Sequence, residues 1–326
     1  MRAVVCRSLG IAQGLACEEW PSPAVPEGFV RIAVHAAGVN FADTLVMAGR
    51  YQDKIEPPFV PGFEVAGVVT EIKATAPPCR IGDRVMAMTR SGGFAEECVA
   101  RISDVFVLPE NMDFIQAAGF PITYGTAHYG LATRARLRSG ETLVVHGAAG
   151  GAGLTAVACG VLMGATVIAT ASGTDKCAVA AGQGAHHLID SRNENVRDRI
   201  LDLTEGRGAD VIYDPVGGAL FDASLHAIAP NGRLVVVGFA SGQIPQIPAN
   251  ILMVKNVSCI GFNFNAYRTL DPAGVRAAFA ELLAWHEAGR LRPHVRRTFT
   301  LAKARRAIET LLARGATGKL VLVCRE

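Results

Sequence analysis

Apolar and polar positions divide the chain into two regimes. Up to about residue 120 the apolar runs are short and broken by turn residues. Val30–Val34 alternates, Phe63–Thr70 is β-rich around Gly67, and Gly82-Asp83 forms a turn before Arg84–Met88. Prolines 21, 23 and 26, then 57, 58 and 61, mark surface connections. This pattern predicts a mostly β unit with few helices. From about 121 strand-length and helix-length patterns alternate. Predicted strands are Leu143–Val145, Thr166–Thr170, His187–Asp190, Asp210–Tyr213, Arg233–Val237 and Val257–Gly261. Helical segments at 174–182, 194–203 and 218–228 lie between them. Alternation of this kind predicts a doubly wound parallel α/β sheet of order 3-2-1-4-5-6. Beyond 264 come a long helix (Pro272–Ala288), a strand at Thr298–Leu301, a helix (Ala302–Arg314) and a last strand, Leu320–Val323, expected to return to the first unit.

The first parallel strand runs into Gly147, Gly150, Gly151 and Gly153, and an apolar helical segment, Leu154–Met163, follows. Strand, glycine turn, helix, strand is the unit that binds a dinucleotide. A pyrophosphate must approach backbone N–H groups at a helix N-terminus, and side chains would hold it off. On the usual i, i+2, i+5 grid the residues are Ala148, Gly150 and Gly153; a spacing of three gives Gly147, Gly150 and Gly153. A glycine-rich hairpin is the competing reading. An NAD site places an acid at the end of the second strand to hold the ribose hydroxyls. Here Thr170, Ala171, Ser172 and Gly173 stand there, with Lys176 just beyond. Small residues and a cation suit a 2′-phosphate, so the expected cofactor is NADPH. Asp175 argues the other way unless it only serves the start of the next helix.

Composition narrows the classes. A chain of 326 residues, half of them hydrophobic, allows two domains with sizeable cores. A net charge of +3 gives no case for nucleic acid. The basic stretch Arg290–Arg306 reads either as a solvated surface or as a site for an anionic substrate tail. The eight cysteines include no C-x-x-C pair, which favours a reducing, cytoplasmic setting over a zinc or disulfide framework. The first residues enter a strand pattern at once, without a signal-like apolar core, and the apolar stretch 154–171 is divided by Gly160 and Gly164, so no membrane partner is expected.

Nine motifs in order carry a resemblance over nearly the whole chain: A-A-G-V-N-F-A-D (Ala36–Asp43), A-G-R-Y (Ala48–Tyr51), P-G-F-E-V-A-G-V-V (Pro61–Val69), G-D-R-V (Gly82–Val85), G-T-A-H-Y-G-L (Gly125–Leu131), V-H-G-A-A-G-G-A-G (Val145–Gly153), G-A-D-V-I-Y-D-P-V-G (Gly208–Gly217), N-G-R-L-V-V-V-G (Asn231–Gly238) and G-A-T-G-K-L-V-L (Gly315–Leu322). They resemble the zinc-less quinone oxidoreductase branch of the medium-chain dehydrogenase/reductases. The resemblance implies a GroES-like catalytic domain (1–121 and 264–326) beside a Rossmann domain (122–263), and a homodimer paired near Val257–Gly261. Zinc-dependent members carry a cysteine where this chain has Asn40 and a histidine where it has Phe63, so no metal is expected.

The same resemblance assigns site residues. It puts the pyrophosphate on Gly150, Gly151, Ala152 and Gly153, and the 2′-phosphate near Ser172, Gly173 and Lys176, with Ser191-Arg192 where the family usually has Tyr or His before Arg. Thr126 would face the nicotinamide, and Phe239–Ala240 and Phe262–Asn263 would hold its carboxamide. Asn40 and Tyr51 would lie over the nicotinamide. In the implied reaction, hydride reaches a conjugated carbonyl, and hydrogen-bond donors must stabilise the oxyanion. Asn40 offers an amide and Tyr51 a phenol, though Asn40 could equally order its loop and Tyr51 wall the pocket. Asp43 is expected to order the loop after Asn40, and Glu64 to be an ion-pair partner. The implied activity is NADPH:quinone reduction. A 2-alkenal or enoyl-thioester reductase fits the same site, and a crystallin-type protein that only binds NADPH is the reading from another class.

Overall fold

The computed structural model describes residues 1–10, 14–75, 77–313 and 316–325. Gly315, the first residue of the last motif, and Arg314, the expected end of the last helix, lie outside the described residues. In chain order the elements are β1 (Arg2–Cys6), β2 (Leu15–Glu19), β3 (Phe29–Val39), α1 (Phe41–Met47), β4 (Glu64–Lys73), β5 (Arg84–Met88), β6 (Glu97–Arg101), β7 (Val105–Val107), α2 (Phe114–Ala118) and α3 (Pro121–Tyr129). The alternating stretch supplies β8 (Thr142–Val145), α4 (Gly151–Leu162), β9 (Thr166–Ala171), α5 (Thr174–Ala181), β10 (His187–Asp190), α6 (Val196–Leu203), β11 (Ala209–Asp214), α7 (Ala219–Ala227), β12 (Ile228–Val236), α8 (Ala249–Lys255) and β13 (Ser258–Gly261). The chain ends with α9 (Phe264–Leu270), α10 (Pro272–Glu287), β14 (Val295–Thr300), α11 (Ala304–Leu312) and β15 (Lys319–Val323).

Two compact units result: Met1–Ile122 with Phe279–Glu326, and Thr123–Ala278. The second crossing falls inside α10, later than the 264 read from sequence. In the first unit β3 is the spine. It pairs antiparallel with β4, β6 and β15, and its inward positions Val30, Ile32 and Val34 are fully buried. The last strand therefore does return to the first unit. Gly67 on β4 has no substitute, because a Cβ there would collide with the Ala33 carbonyl on β3. Helix α11 turns Ala304, Ala307 and Ile308 inward. Its outer face carries the Arg305–Glu309 pair at 2.9 Å, an exposed i, i+4 contact of ~0.3–0.5 kcal/mol.

The second unit is a parallel sheet ordered β10-β9-β8-β11-β12-β13, which is the doubly wound order 3-2-1-4-5-6. Its strands are apolar on both faces, as strands covered by helices on each side must be. Helix α4 is buried along most of its length. Gly160 lets it sit close to β8, since a Cβ there would meet the Leu143 side chain. The strand order changes direction between β8 and β11, and ligands of such sheets bind at that switch, beyond the carboxyl ends of the strands. Two short helices, α8 and α9, are absent from the sequence reading; only seven residues long each, they carry too little periodicity to stand out. Among the described residues no helix is long and apolar enough to cross a membrane.

Candidate active site

The glycine turn of the second unit sits at the carboxyl end of β8. Gly147 takes φ +58°, and its carbonyl accepts from Gly150 N at 2.9 Å. Gly150 then caps α4, which begins with no side-chain hydrogen bond at its N-terminus and no acid in its first turn. Its opening N–H groups are the donors an anion needs. A Cβ on Gly153 would collide with the Gly147 carbonyl, so the third glycine is set by the closeness of turn and helix. Gly150, Gly151 and Ala152 stay half-buried while Gly153 is buried.

Behind the turn lies a buried hydrogen-bond network centred on His146. His146 Nε2 is 2.7 Å from Ser224 Oγ, and Nδ1 is 2.9 Å from Thr170 Oγ1. Ser224 spends its only proton on the Leu220 carbonyl, 2.7 Å away. His146 therefore donates from Nε2 and accepts from Thr170 at Nδ1, which fixes a neutral tautomer. Burial pushes its pKa below the usual histidine value, against the opposing charge of Asp214. The network ties β8 to β9 and α7 directly beneath the glycines.

The residues expected around a 2′-phosphate come together. Gly173 caps α5 at φ +101°. Lys176 Nζ lies 3.5 Å from Ser172 Oγ. The Arg192 guanidinium lies 3.6–3.8 Å from the position a Cβ on Gly173 would take. Ser191 N donates to the Ala171 carbonyl at 2.9 Å, holding the Ser191-Arg192 turn beside β9. The acid in this region is Asp190, and its oxygens accept from Gly173 N, Arg192 N and Asn193 Nδ2 at 2.7, 3.0 and 2.8 Å. These N–H groups, Arg192 first, hold its carboxyl below the usual range. Asp175 sits exposed in the first turn of α5, where a carboxylate complements the helix dipole.

The remaining expected cofactor contacts fall on the same unit. Thr126 is half-buried among buried neighbours on α3. Ala240 N donates to the Pro215 carbonyl at 3.1 Å, which fixes the Phe239–Ala240 turn beside the end of β11. Phe262 N donates to the Val236 carbonyl at 3.0 Å. The Phe262 ring is parallel to Tyr129, with 6.1 Å between centroids, and packs with Phe264 and Tyr267. Tyr129 donates to Asp271 Oδ2 at 2.7 Å. Asn263 caps α9 by accepting from Asn265 N at 3.0 Å. The cluster joins Tyr129 to Phe262, Phe264 and Tyr267, a contact across more than 130 residues that no local pattern shows.

Asn40 and Tyr51 belong to the first unit. Asn40 N donates to Asp43 Oδ2 at 2.7 Å, which orders the start of α1 as expected. The Asn40 amide is engaged on both sides: Nδ2 donates to Glu64 Oε1 at 2.9 Å and to the Gly38 carbonyl at 3.5 Å, and Oδ1 accepts from Lys319 Nζ at 2.8 Å. Lys319 Nζ also donates to Glu64 Oε1 at 2.6 Å and to the Val39 carbonyl at 3.1 Å, so its three protons are all used. Glu64 Oε2 accepts from Ile122 N, 2.8 Å away, at the start of α3. A Cβ on Gly38 would collide with the Glu64 carboxylate, which explains that glycine. Burial pushes the Asp43 carboxyl up to about 7, against the Asn40 N–H and Lys319, with Glu64 adding to the rise. Tyr51 lies beside Phe63, with 5.5 Å between ring centroids.

Two family models match: the alcohol dehydrogenase GroES-like domain over residues 26–133, and zinc-binding dehydrogenase over 151–285. Quinone oxidoreductase-like protein 2 homolog of Nematostella vectensis is 42% identical over 98% of this chain and 88% of its own. A mycobacterial structure complexed with NADPH superposes with TM-score 0.93 at 32% identity, covering 99% of this chain and 100% of that one. Escherichia coli quinone oxidoreductase complexed with NADPH gives TM-score 0.92 at 27% identity, over 99% and 100%.

Proposed function

The chain belongs to the quinone oxidoreductase branch of the medium-chain dehydrogenase/reductases, and from that premise we propose that it is an NADPH-dependent reductase acting on a quinone or similar conjugated carbonyl without zinc. The observation that carries the reading is the pairing of an uncapped helix start at Gly150 with two cations, Lys176 and Arg192, flanking Gly173. The cradle fits the cofactor: Gly153 admits no Cβ, and the local acid, Asp190, is occupied by protein N–H groups.

When bound, NADPH supplies the hydride. Gly151, Ala152 and Gly153 would hold the pyrophosphate through backbone N–H groups, and Gly150, whose own N–H goes to the Gly147 carbonyl, would leave room for its approach. Ser172, Gly173, Lys176, Ser191 and Arg192 hold the 2′-phosphate. Thr126, Phe239, Ala240, Phe262 and Asn263 hold the nicotinamide. Negative charge developing on the acceptor's carbonyl oxygen needs a donor. The Asn40 amide is engaged in its own network and sets the start of α1; the Tyr51 hydroxyl is the donor assigned to the oxyanion. Independence from zinc is supported by Asn40 and Phe63, whose amide and phenyl groups are not zinc ligands. The zinc-binding dehydrogenase match, at residues 151–285, contains neither position.

A second reading, reduction of an enoyl thioester, is favoured by one feature. A groove of about 330 Å³ in the first unit is lined by Arg297, Lys303 and Arg306 with Thr298 and Thr300, a lining suited to an anionic tail. A homodimer is supported by the edge strand β13 and by α8, which buries no residue and exposes Met253 and Val254 at 72% and 74%. The eight free cysteines support a reducing compartment. Rapid-mixing measurement of NADPH oxidation with a quinone, an enone and an enoyl-CoA ranks the acceptors. Turnover with none of them overturns the enzymatic reading.

A further inference from the structure

We propose that Asp190 is a positioning residue for cofactor choice: its single carboxylate holds together the two loops that read the 2′-phosphate. The inference rests on the NADPH reading above.

Asp190 ends β10 and pairs in register with Ala171, the last residue of β9. Each strand then opens into a loop. The loop after β9 carries Ser172, Gly173 and Lys176; the loop after β10 carries Ser191 and Arg192. Asp190 Oδ1 accepts from one backbone N–H of each loop, Gly173 at 2.7 Å and Arg192 at 3.0 Å. Oδ2 accepts from Asn193 Nδ2 at 2.8 Å. The residue itself is anchored from below. Its N–H donates to Glu194 Oε1 at 2.7 Å, and Glu194 Oε2 accepts from Arg199 Nε on α6 at 2.9 Å.

The consequence is geometric. Gly173 stands at φ +101°, a conformation with no support from a side chain of its own. Arg192 is exposed, and long side chains in water sample many rotamers. One oxygen fixes both backbones, and the guanidinium then stands beside Gly173. A carboxylate near a phosphate would ordinarily repel it. Here three donors offset the charge, so an acid that could hold the ribose diol of NADH instead builds the clamp for its phosphorylated counterpart. Pre-ordered donors raise affinity by removing the ordering cost at binding.

The test is a fluorescence titration of the full chain with NADPH and with NADH. Asp190→Ala removes both ties and is expected to weaken NADPH about tenfold while changing NADH by less than about threefold. Asp190→Asn keeps an acceptor oxygen for both N–H groups and is expected to hold the NADPH/NADH ratio or raise it, because a negative charge leaves the vicinity of the phosphate. Equal weakening of both coenzymes in Asp190→Ala, or no change in either, overturns the inference. So does loss of selectivity in Asp190→Asn, the isosteric variant that reads the question even where the alanine variant fails to fold. Arg192→Ala separates this from the underlying reading. If it leaves the ratio unchanged, the 2′-phosphate is not read at these loops and the NADPH assignment of the site falls. If it lowers the ratio and Asp190→Ala does not, only the role of Asp190 falls.

Discussion

Lys319 donates to Glu64 at 2.6 Å across 255 residues of chain, and both side chains are buried, with 6% and 0% of their surface exposed. Taking two charges out of water is costly, and the pair survives because every donor and acceptor of the group finds a partner. Removing one member leaves the other buried and uncompensated. Lys319→Met is expected to lower stability by ~3–5 kcal/mol. Glu64→Gln in the same background should recover part of the loss, because the two sites share one network. Denaturant unfolding of the single and double variants measures both; additive losses would refute the coupling.

Asp43 sets a pH dependence of known sign. Its carboxyl is pushed up to about 7 by burial, above the ordinary aspartate value of 3.8. The folded state therefore binds more protons between those values, and its stability falls as pH rises through 7. The expected loss from pH 6 to pH 8 is ~1.4 kcal/mol from this group. His146, depressed by burial, works in the opposite sense below ~6.5. The wild-type profile alone mixes the two. The difference between wild type and Asp43→Asn at pH 6 and pH 8 isolates the carboxyl; a constant difference would show that Asp43 does not titrate in this range.

Gly153→Ala should weaken NADPH at least ~10-fold, about 1.4 kcal/mol, because its methyl group collides with the Gly147 carbonyl and displaces the turn. Gly151→Ala, at a half-buried position, is the comparison, with a smaller loss expected. Equilibrium titration of both variants decides; equal effects would remove the packing explanation.

Tyr51→Phe separates donor from wall. Loss of a proton donor lowers kcat by ~10²-fold or more, whereas the ring contact with Phe63 survives. NADPH affinity should stay within about twofold. Asn40→Ala should act chiefly on stability, since its amide joins Glu64 and Lys319. Steady-state kinetics beside thermal unfolding distinguishes these outcomes, and an unchanged kcat in Tyr51→Phe would transfer the donor role elsewhere.

Much of the fold was legible because its signals are local. The glycine spacing, the apolar strands and the helical segments between them predicted the 3-2-1-4-5-6 sheet that is observed. Gly173 and Lys176 were legible for the same reason, lying within a few residues of a strand end. What escaped depends on distant parts of the chain. Lys319 meets Asn40 across 279 residues, and no period in the sequence connects them. Its signal was a lysine at the head of the apolar run Leu320–Val323, where burial demands a partner. Asp190 showed only as the polar end of a strand, because which amides it accepts from is set by loop geometry. Tyr129 lies in one motif and Phe262 in another expected contact, but their packing against each other showed in neither.

Helix α4 begins at Gly150 without a side-chain acceptor for its first turn. Most helices carry their own cap; this one takes it from whatever anion arrives. The folding equilibrium of the second unit is thereby linked by mass action to the coenzyme pool. Each tenfold rise in NADPH above its dissociation constant adds ~1.4 kcal/mol to the folded side. Depletion of the pool withdraws that support first where the glycines lie.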